Sequence, residues 1–311
     1  MNLLAKYKNG NYNVKLYDDG TKIRYNDLDN LTPEFAESMD VTITTVCSGV
    51  PGYDNGNLCE YCYLCCGPHG KHADLNNPIL ETVHAGTEMA INANDCSHPQ
   101  LDEFLERMKN KGVIVNMTIN QKHLHKNIDK LISWQQNKLI WGLGISLTNS
   151  ADPQLLEDVK KLTNVVIHVI DGCFSKEDIE NLKGNNFKLL ILGFKHKGRG
   201  VDYYNKNKEE VDTNIAFLRD HLNEYKSQFD GFGFDNLAIE DLELIKKIDP
   251  NQWAMYHMGS EGEFTFFMSL VDNTYAVSSM ETENIFSIKD NDTVDTCFKQ
   301  IRKIVGFDKE N

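Results

Sequence analysis

The sequence has no long hydrophobic run. Its longest apolar stretches, such as residues 189–194, are strand-length and too short to span a bilayer, so no membrane partner is expected. It lacks the charged, apolar and small-residue progression of a secretory signal, since residues 1–10 are too short and too polar for one. A cytoplasmic, reducing location is the expectation, and clustered thiols there are more often ligands than bridges. Positive charge is scarce: 32 Lys+Arg stand against 46 Asp+Glu, a formal net charge of −14. Such a surface repels phosphate backbones and argues against a nucleic-acid partner, although a basic pocket can sit in an acidic shell. Internal repeats, low-complexity tracts and an obvious linker are missing too. What is present is length. The 311 residues suffice for one large α/β domain whose core needs no disulfides.

Residues 3–25 read as a small antiparallel meander, with Asn9-Gly10 and Asp19-Gly20 supplying the positive φ of tight hairpin turns. An acidic connector follows over 26–40. From residue 41, strand and helix alternate, with strands expected at 41–46, 86–91, 113–119, 140–147, 164–170 and 187–194. Between them, Leu101, Phe104, Leu105 and Met108 share one face ahead of Gly112. Asp152-Pro153 caps a helix, and Ser175-x-x-Asp178 is a capping box. A longer helix is expected over 208–226 and strand character over 229–239, then a second antiparallel patch over 254–279 and a last helix near 292–305. Apolar strands alternating with helices imply a parallel sheet covered by helices. Six such units are too few for an eight-fold barrel. They suit an α/β partial (β/α)6 TIM-like barrel over 41–250, with small β additions at 1–40 and 251–311. Sites in such folds gather at the C-terminal ends of the strands.

Five of the eight cysteines crowd residues 41–75: Cys47, Cys59, Cys62, Cys65 and Cys66. A β-branched run leads straight into Cys47, so a strand opens into a thiol-rich loop, which is a metal-site signature. Cys47, Cys59 and Cys62 form C-x11-C-x2-C, with Tyr61 before the third thiol. Three thiolates from one loop can hold three irons of a [4Fe–4S] cluster and leave the fourth open, whereas structural zinc takes four ligands in a closed site. Spacing alone leaves the choice open, because Cys59, Cys62 and Cys65 form a rival C-x2-C-x2-C trio. Cys96, Cys173 and Cys297 are dispersed, so no auxiliary cluster is expected.

The strand, the thiols and the aromatic together resemble the radical S-adenosylmethionine enzymes. Their usual motif is C-x3-C-x2-C with an aromatic before the third cysteine, placed after the first strand of a partial (β/α)6 barrel. The first interval is longer here, with residues 48–58 as an insertion. Gly86-Thr87-Glu88, at the end of the second expected strand, looks like the family's Gly-Gly-Glu motif, which receives the amino group of the cofactor's methionine part. The plainer alternative for Glu88 is an ordinary strand residue. Ser146, in Gly-Ile-Ser-Leu-Thr, matches a ribose-contact position, with a sheet hydroxyl as its alternative. Segments such as Gly70-Lys71-His72-Ala73, Val115-Asn116-Met117-Thr118 and Phe234-Asp235-Asn236-Leu237 look like a phage-borne group of these proteins. The resemblance implies S-adenosylmethionine at the open iron and one electron from a flavodoxin- or ferredoxin-type reductant. It further implies cleavage to a 5′-deoxyadenosyl radical, which abstracts hydrogen from an unassigned small-molecule or peptide substrate.

On the substrate side, Asn116, Thr118 and Asn120 alternate along the third strand and share a face. Lys195-His196-Lys197-Gly198-Arg199-Gly200 is a local basic run after the sixth strand, suited to a carboxylate or phosphate, and Lys195 is a cofactor-contact candidate. Asp235, Asn236 and Glu240 are further candidates. His72, His98, His123 and His168 read as structural. No catalytic residue is assigned. The contrasting reading is a non-catalytic zinc or iron–sulfur binding module.

Overall fold

Gly10 and Gly20 adopt left-handed φ of 57° and 90°, which closes β1 (Leu3–Asn9), β2 (Tyr12–Tyr17) and β3 (Lys22–Tyr25) into the expected antiparallel sheet. A computed structural model describes residues 2–28, 30–48 and 58–308. Most of the insertion at 48–58 therefore lies outside the described residues.

The main sheet holds β4 (Ser38–Thr42), β5 (Glu88–Asn94), β6 (Ile114–Asn120), β7 (Leu143–Ser146), β8 (Val165–Ile170), β9 (Lys188–Leu192) and β10 (Gly231–Phe234), side by side and all parallel. Among the described residues these seven strands, where the sequence suggests six units, do not yet complete the parallel run, and the sheet stays open. β11 (Thr265–Ser269) pairs parallel to β4 on its other side, and β12 (Thr274–Ala276) and β13 (Phe286–Ser287) continue antiparallel. The C-terminal strands thus extend the main sheet instead of forming a patch of their own.

Helices α1 (Leu101–Lys111), α2 (Leu124–Gln136), α3 (Pro153–Val159), α4 (Lys176–Leu182) and α5 (Arg199–Tyr225) connect the strands. Local chemistry sets their ends. Gly112 ends α1 at φ 75°, Asp152 caps α3, and Ser175 with Asp178 makes the capping box of α4. Helix α5 begins at Arg199, well before the expected 208, and carries a non-helical residue at Asn207. The chain ends with α6 (Asn236–Asp241), α7 (Pro250–Tyr256) and α8 (Val294–Ile304).

Strand alternation separates the two faces of the sheet. Met39, Val41, Met89, Ile91, Val115, Met117, Ile119, Ile145, Ile167, Leu189 and Ile191 are buried in one core with α1, α2 and α4. The residues between them, including Asp40, Ala90, Asn92, Asn116, Thr118, Ser146 and His168, stay accessible. Ala90, in the middle of a central strand, is accessible, so among the described residues no element packs over this face at that point. The sheet therefore presents an open, polar hollow.

At the N-terminal strand ends the small sheet closes the bottom of this hollow. Glu37 is fully buried; Tyr12 donates to it, Arg24 Nε reaches both its oxygens at 2.8 and 3.0 Å, and Lys22 Nζ lies 3.4 Å away. Lys22 also pairs with Glu88 at 2.6 Å.

Candidate functional site

Beyond β4 the chain leaves the ladder. The expected strand at 41–46 stops at Thr42 because the next residues pair with their own return segment: Thr44 bridges His72, and Val46 bridges Gly67. The amides of Thr45 and Cys47 donate to Lys71 and Gly67 at 2.9 and 3.0 Å. Gly70 makes this possible, because a Cβ there would sit 2.1 Å from the Thr45 carbonyl oxygen. Both ends of the cysteine loop are thereby tied together above the C-terminal ends of β4 and β5.

Inside the loop, the amide of Cys62 donates to the carbonyl of Cys59 and that of Cys65 to the carbonyl of Cys62, each at 3.2 Å. Cys62 receives hydrogen bonds from the Cys66 thiol and the Cys66 and Leu64 amides and lies near the Arg199 guanidinium. These outweigh its burial and bring its pKa down to about 6. Cys66 is pushed the other way, by its bond to Cys62 and by burial, and also feels Cys47. Burial, opposed by the charge of Lys122, raises Cys59, whose sulfur accepts from Asn120 Nδ2 at 3.4 Å. Cys47 Sγ lies 3.8 Å from His123 Nε2. Cys65 is exposed, on a left-handed backbone with φ 53°. Cys66, not Cys65, thus stands beside the C-x11-C-x2-C thiols. Among the described residues, no three His, Cys, Asp or Glu side chains stand close enough to share one metal ion.

The run after β9 buttresses this loop. Arg199 Nε donates to the Cys59 carbonyl and Nη2 to the Cys66 carbonyl, both at 2.9 Å, and the Arg199 amide donates to Cys62 O at 3.2 Å. Gly198, at φ 58°, lets the turn pass, because a Cβ would fall 2.4 Å from Tyr63 O. Arg199 is therefore a clamp on the loop and not a free anion receptor. Lys195 is turned toward the hollow. Its Nζ donates to Ser279 Oγ at 2.8 Å and lies 4.1 Å over the Tyr63 ring.

The other expected residues separate. Tyr61 packs edge-on against Tyr203, with centroids 5.6 Å apart, and lines a cavity of about 150 Å³ with Leu147, Ile170, Cys173 and Tyr203. Ser146, the last residue of β7, lies at the same end of the sheet. Gly86, Thr87 and Glu88 do not. Gly86 takes φ 88°, which a strand cannot continue through, so β5 starts at Glu88. The Gly-Thr-Glu motif thus enters its strand at the bottom of the hollow, opposite the thiols, and Glu88 is the ion-pair partner of Lys22.

At the other end of β5 are residues the sequence reading passed over. Asn92 Nδ2 donates to Thr44 O at 2.6 Å; Asn94 Nδ2 reaches Val46 O at 2.8 Å and Cys66 Sγ at 3.5 Å. Asp95 accepts from the amides of Ser48 and Ser97, which overcome its burial and hold its carboxyl below the usual range. The available signal is polar alternation, Asn92-x-Asn94, at the close of an apolar strand. His72 and His98 are structural as expected: His72 meets the Thr44 hydroxyl at 2.9 Å and His98 the Ala73 carbonyl at 3.0 Å. His168 leans over Gly144, and burial lowers its pKa to about 4.

No family model matches the chain, and no curated protein does. Its fold is similar to that of SuiB from Streptococcus suis bound to S-adenosylmethionine, with 12% identity, a TM-score of 0.54, and coverage of 86% of this chain and 64% of that one. A second SuiB structure gives a TM-score of 0.50 at 12% identity, covering 90% and 70%. The chain thus spans just under two thirds of the first SuiB chain, and at this identity the likeness is one of fold.

Proposed function

We propose that this protein is a radical S-adenosylmethionine enzyme that holds a [4Fe–4S] cluster on Cys47, Cys59 and Cys62. The observation that carries the reading is a tied thiol loop at the C-terminal ends of an open parallel sheet, in a fold shared with a protein that binds S-adenosylmethionine. The donor set suits the group: Cys62 is held toward its thiolate by amides and a guanidinium, and thiolates are what iron binds. Bound there, the cluster and S-adenosylmethionine would supply reductive cleavage of the sulfonium to a 5′-deoxyadenosyl radical, with the electron coming from a flavodoxin- or ferredoxin-type protein.

The chain's own residues orient and shield. Asn120 and Asn94 direct amide protons at Cys59 and Cys66. At the far end of β5, Asn94 and Asp95 take over the polar role first read into Glu88. Ser146 and Tyr61 remain the candidates for the nucleoside side. Lys195 belongs to the substrate side, facing the hollow.

Anaerobic reconstitution with iron and sulfide should give a brown protein that releases 5′-deoxyadenosine when reduced with S-adenosylmethionine, and Cys47→Ala should lose the iron. Cys66, a further thiol in contact with Cys62, is what favours the contrasting closed-site reading. A colourless protein with one tightly held zinc per chain, released by Cys66→Ala, would establish that reading instead.

A further inference from the structure

The main sheet stays open, but one loop bridges its two sides. β12 and β13 pair Thr274 with Ser287 and Tyr275 with Phe286, so residues 277–285 are the loop of a terminal hairpin. The loop leaves β12 at Ala276, in register with Phe267 of β11, which is itself level with Asp40 of β4. β9 stands toward the opposite side, with β8, β7, β6, β5, β4 and β11 in between. Yet Ser279 meets the run just beyond β9. Lys195 Nζ donates to its Oγ at 2.8 Å, and Lys197 Nζ to its carbonyl at 2.6 Å. Lys195 also lies 4.1 Å over the ring of Tyr63, in the thiol loop. The hairpin loop thus closes the gap between the two sides of the sheet, beside the thiols.

The loop is fastened across this gap at one residue. Its amides otherwise bond within the loop: Met280 to Ser278 Oγ at 3.2 Å, Glu281 to the Ser278 carbonyl at 3.3 Å, and Thr282 and Glu283 to one Glu281 carboxylate oxygen at 2.8 and 2.9 Å. Residues 282–285 are exposed. On the near side Ser278 meets Glu261, and Val277 and Phe286 pack against the core. Among the described residues, the hydrogen bonds that reach across to the β9 side all run through Ser279. A loop folded on itself, anchored at both ends and fastened at one residue, swings as a unit when that fastening lets go. The fastening also touches the thiols, because Lys195 and Lys197 share their run with Arg199, which holds the Cys59 and Cys66 carbonyls.

We propose that residues 277–285 are a gate on the hollow, latched by Lys195 and Lys197 on Ser279, and that unlatching admits substrate-sized molecules to the open face of the sheet. Lysines suit such a latch. Each ammonium carries three donors on a flexible stem, so it exchanges Ser279 for water and returns without rebuilding its surroundings. Two charge-assisted bonds hold the loop closed most of the time and still leave its opening far cheaper than unfolding the sheet. The gate goes beyond the cluster reading and does not rest on it, since it governs entry to the hollow whatever is bound there.

The test puts a reporter on the open face and measures what reaches it. Ala90→Cys, at an accessible position of β5, is made in the full chain, reconstituted anaerobically and left unreduced. It is labelled with N-ethylmaleimide, a small probe, and with fluorescein maleimide, a bulky one. Both rates are normalised to glutathione, and peptide mass spectrometry separates residue 90 from the native cysteines. With the latch intact the bulky probe should lag well behind the small one. Ser279→Ala or Lys197→Met should raise the bulky probe's rate roughly tenfold and the pair about a hundredfold, while the small probe's rate moves by less than about threefold. Melting temperatures check that the variants fold, and a merely structural contact would lower them without changing the ratio of the two rates. Equal access of both probes with the latch intact, or an unchanged ratio in the double variant, would overturn the proposal. In chains without the reporter, cleavage after Glu283 by a glutamate-specific protease should accelerate in the same order, because cleavage follows the open population; an unchanged rate would refute the latch as well. A gated protein that never releases 5′-deoxyadenosine would sink the enzymatic reading alone, and an ungated one that releases it would sink this inference alone.

Discussion

Replacing Arg199 by alanine tests whether the loop after β9 holds the thiols in place. The side chain donates two hydrogen bonds at 2.9 Å, to the carbonyls of Cys59 and Cys66, from either end of a planar fork. Hydrogen bonds to a charged group contribute about 1.5–3 kcal/mol each, and at a partly buried site the lower end applies, so about 3 kcal/mol of loop ordering should be lost. That is roughly a hundredfold in the equilibrium for opening the loop. Hydrogen exchange reads this directly at the amides of Cys62, Cys65 and Gly67, whose acceptors are Cys59, Cys62 and Thr45. Arg199→Lys keeps the charge and loses the fork, so it should recover only part of the protection. Iron retained after reconstitution and gel filtration should fall in the same order. Exchange at the three amides within about threefold of wild type in Arg199→Ala would refute the clamp, because local opening reports local stability.

Three other perturbations have definite signs. Glu37→Ala leaves Arg24 and Lys22 without their buried counter-charge and should cost about 3–5 kcal/mol in urea unfolding; a loss below about 1 kcal/mol would mean that the small sheet does not depend on this network. Asp171 is buried beside Asp241, and burial together with that neighbour raises its pKa above the ordinary 3.8, so the native state keeps a proton that the unfolded chain gives up. Its stabilising contribution is therefore complete below that value and is lost as pH rises toward and through neutrality. Asp171→Asn should flatten the decline, by up to about 1.4 kcal/mol per pH unit, and an unchanged melting profile from pH 4 to pH 8 would contradict the assignment. Gly70→Ala drives a Cβ into the backbone of Thr45, 2.1 Å from its oxygen, where no side chain can yield; about 2–3 kcal/mol of destabilisation by thermal melting is expected, together with loss of iron.

Features of this fold governed by neighbours in sequence were legible before the structure. Gly112, Asp152 and the Ser175–Asp178 box end their helices through bonds to backbone a few residues away, so composition suffices to find them. The alternation of Asn116, Thr118 and Asn120 likewise placed them on one face, and all three line the hollow. Strand ends were harder. Gly86-Thr87-Glu88 reads equally well as the entry to a strand or its exit, and its partner Lys22, on a different sheet, is what identifies it as an entry.

The loop that carries the thiols shows why that boundary matters for function. Its cysteines are visible in the sequence, but their arrangement depends on groups brought in from elsewhere: Gly70 from the return segment, Asn94 and Asn120 from strand ends, Arg199 from the run after β9. Arg199 looks, in sequence, like part of a solvated basic patch, because nothing local distinguishes a guanidinium bound for water from one bound for two carbonyls. Residue types can therefore be exchanged among thiol-bearing loops with little visible change in sequence while the supporting contacts are lost. In this chain, cluster retention should follow those contacts as closely as it follows the cysteines.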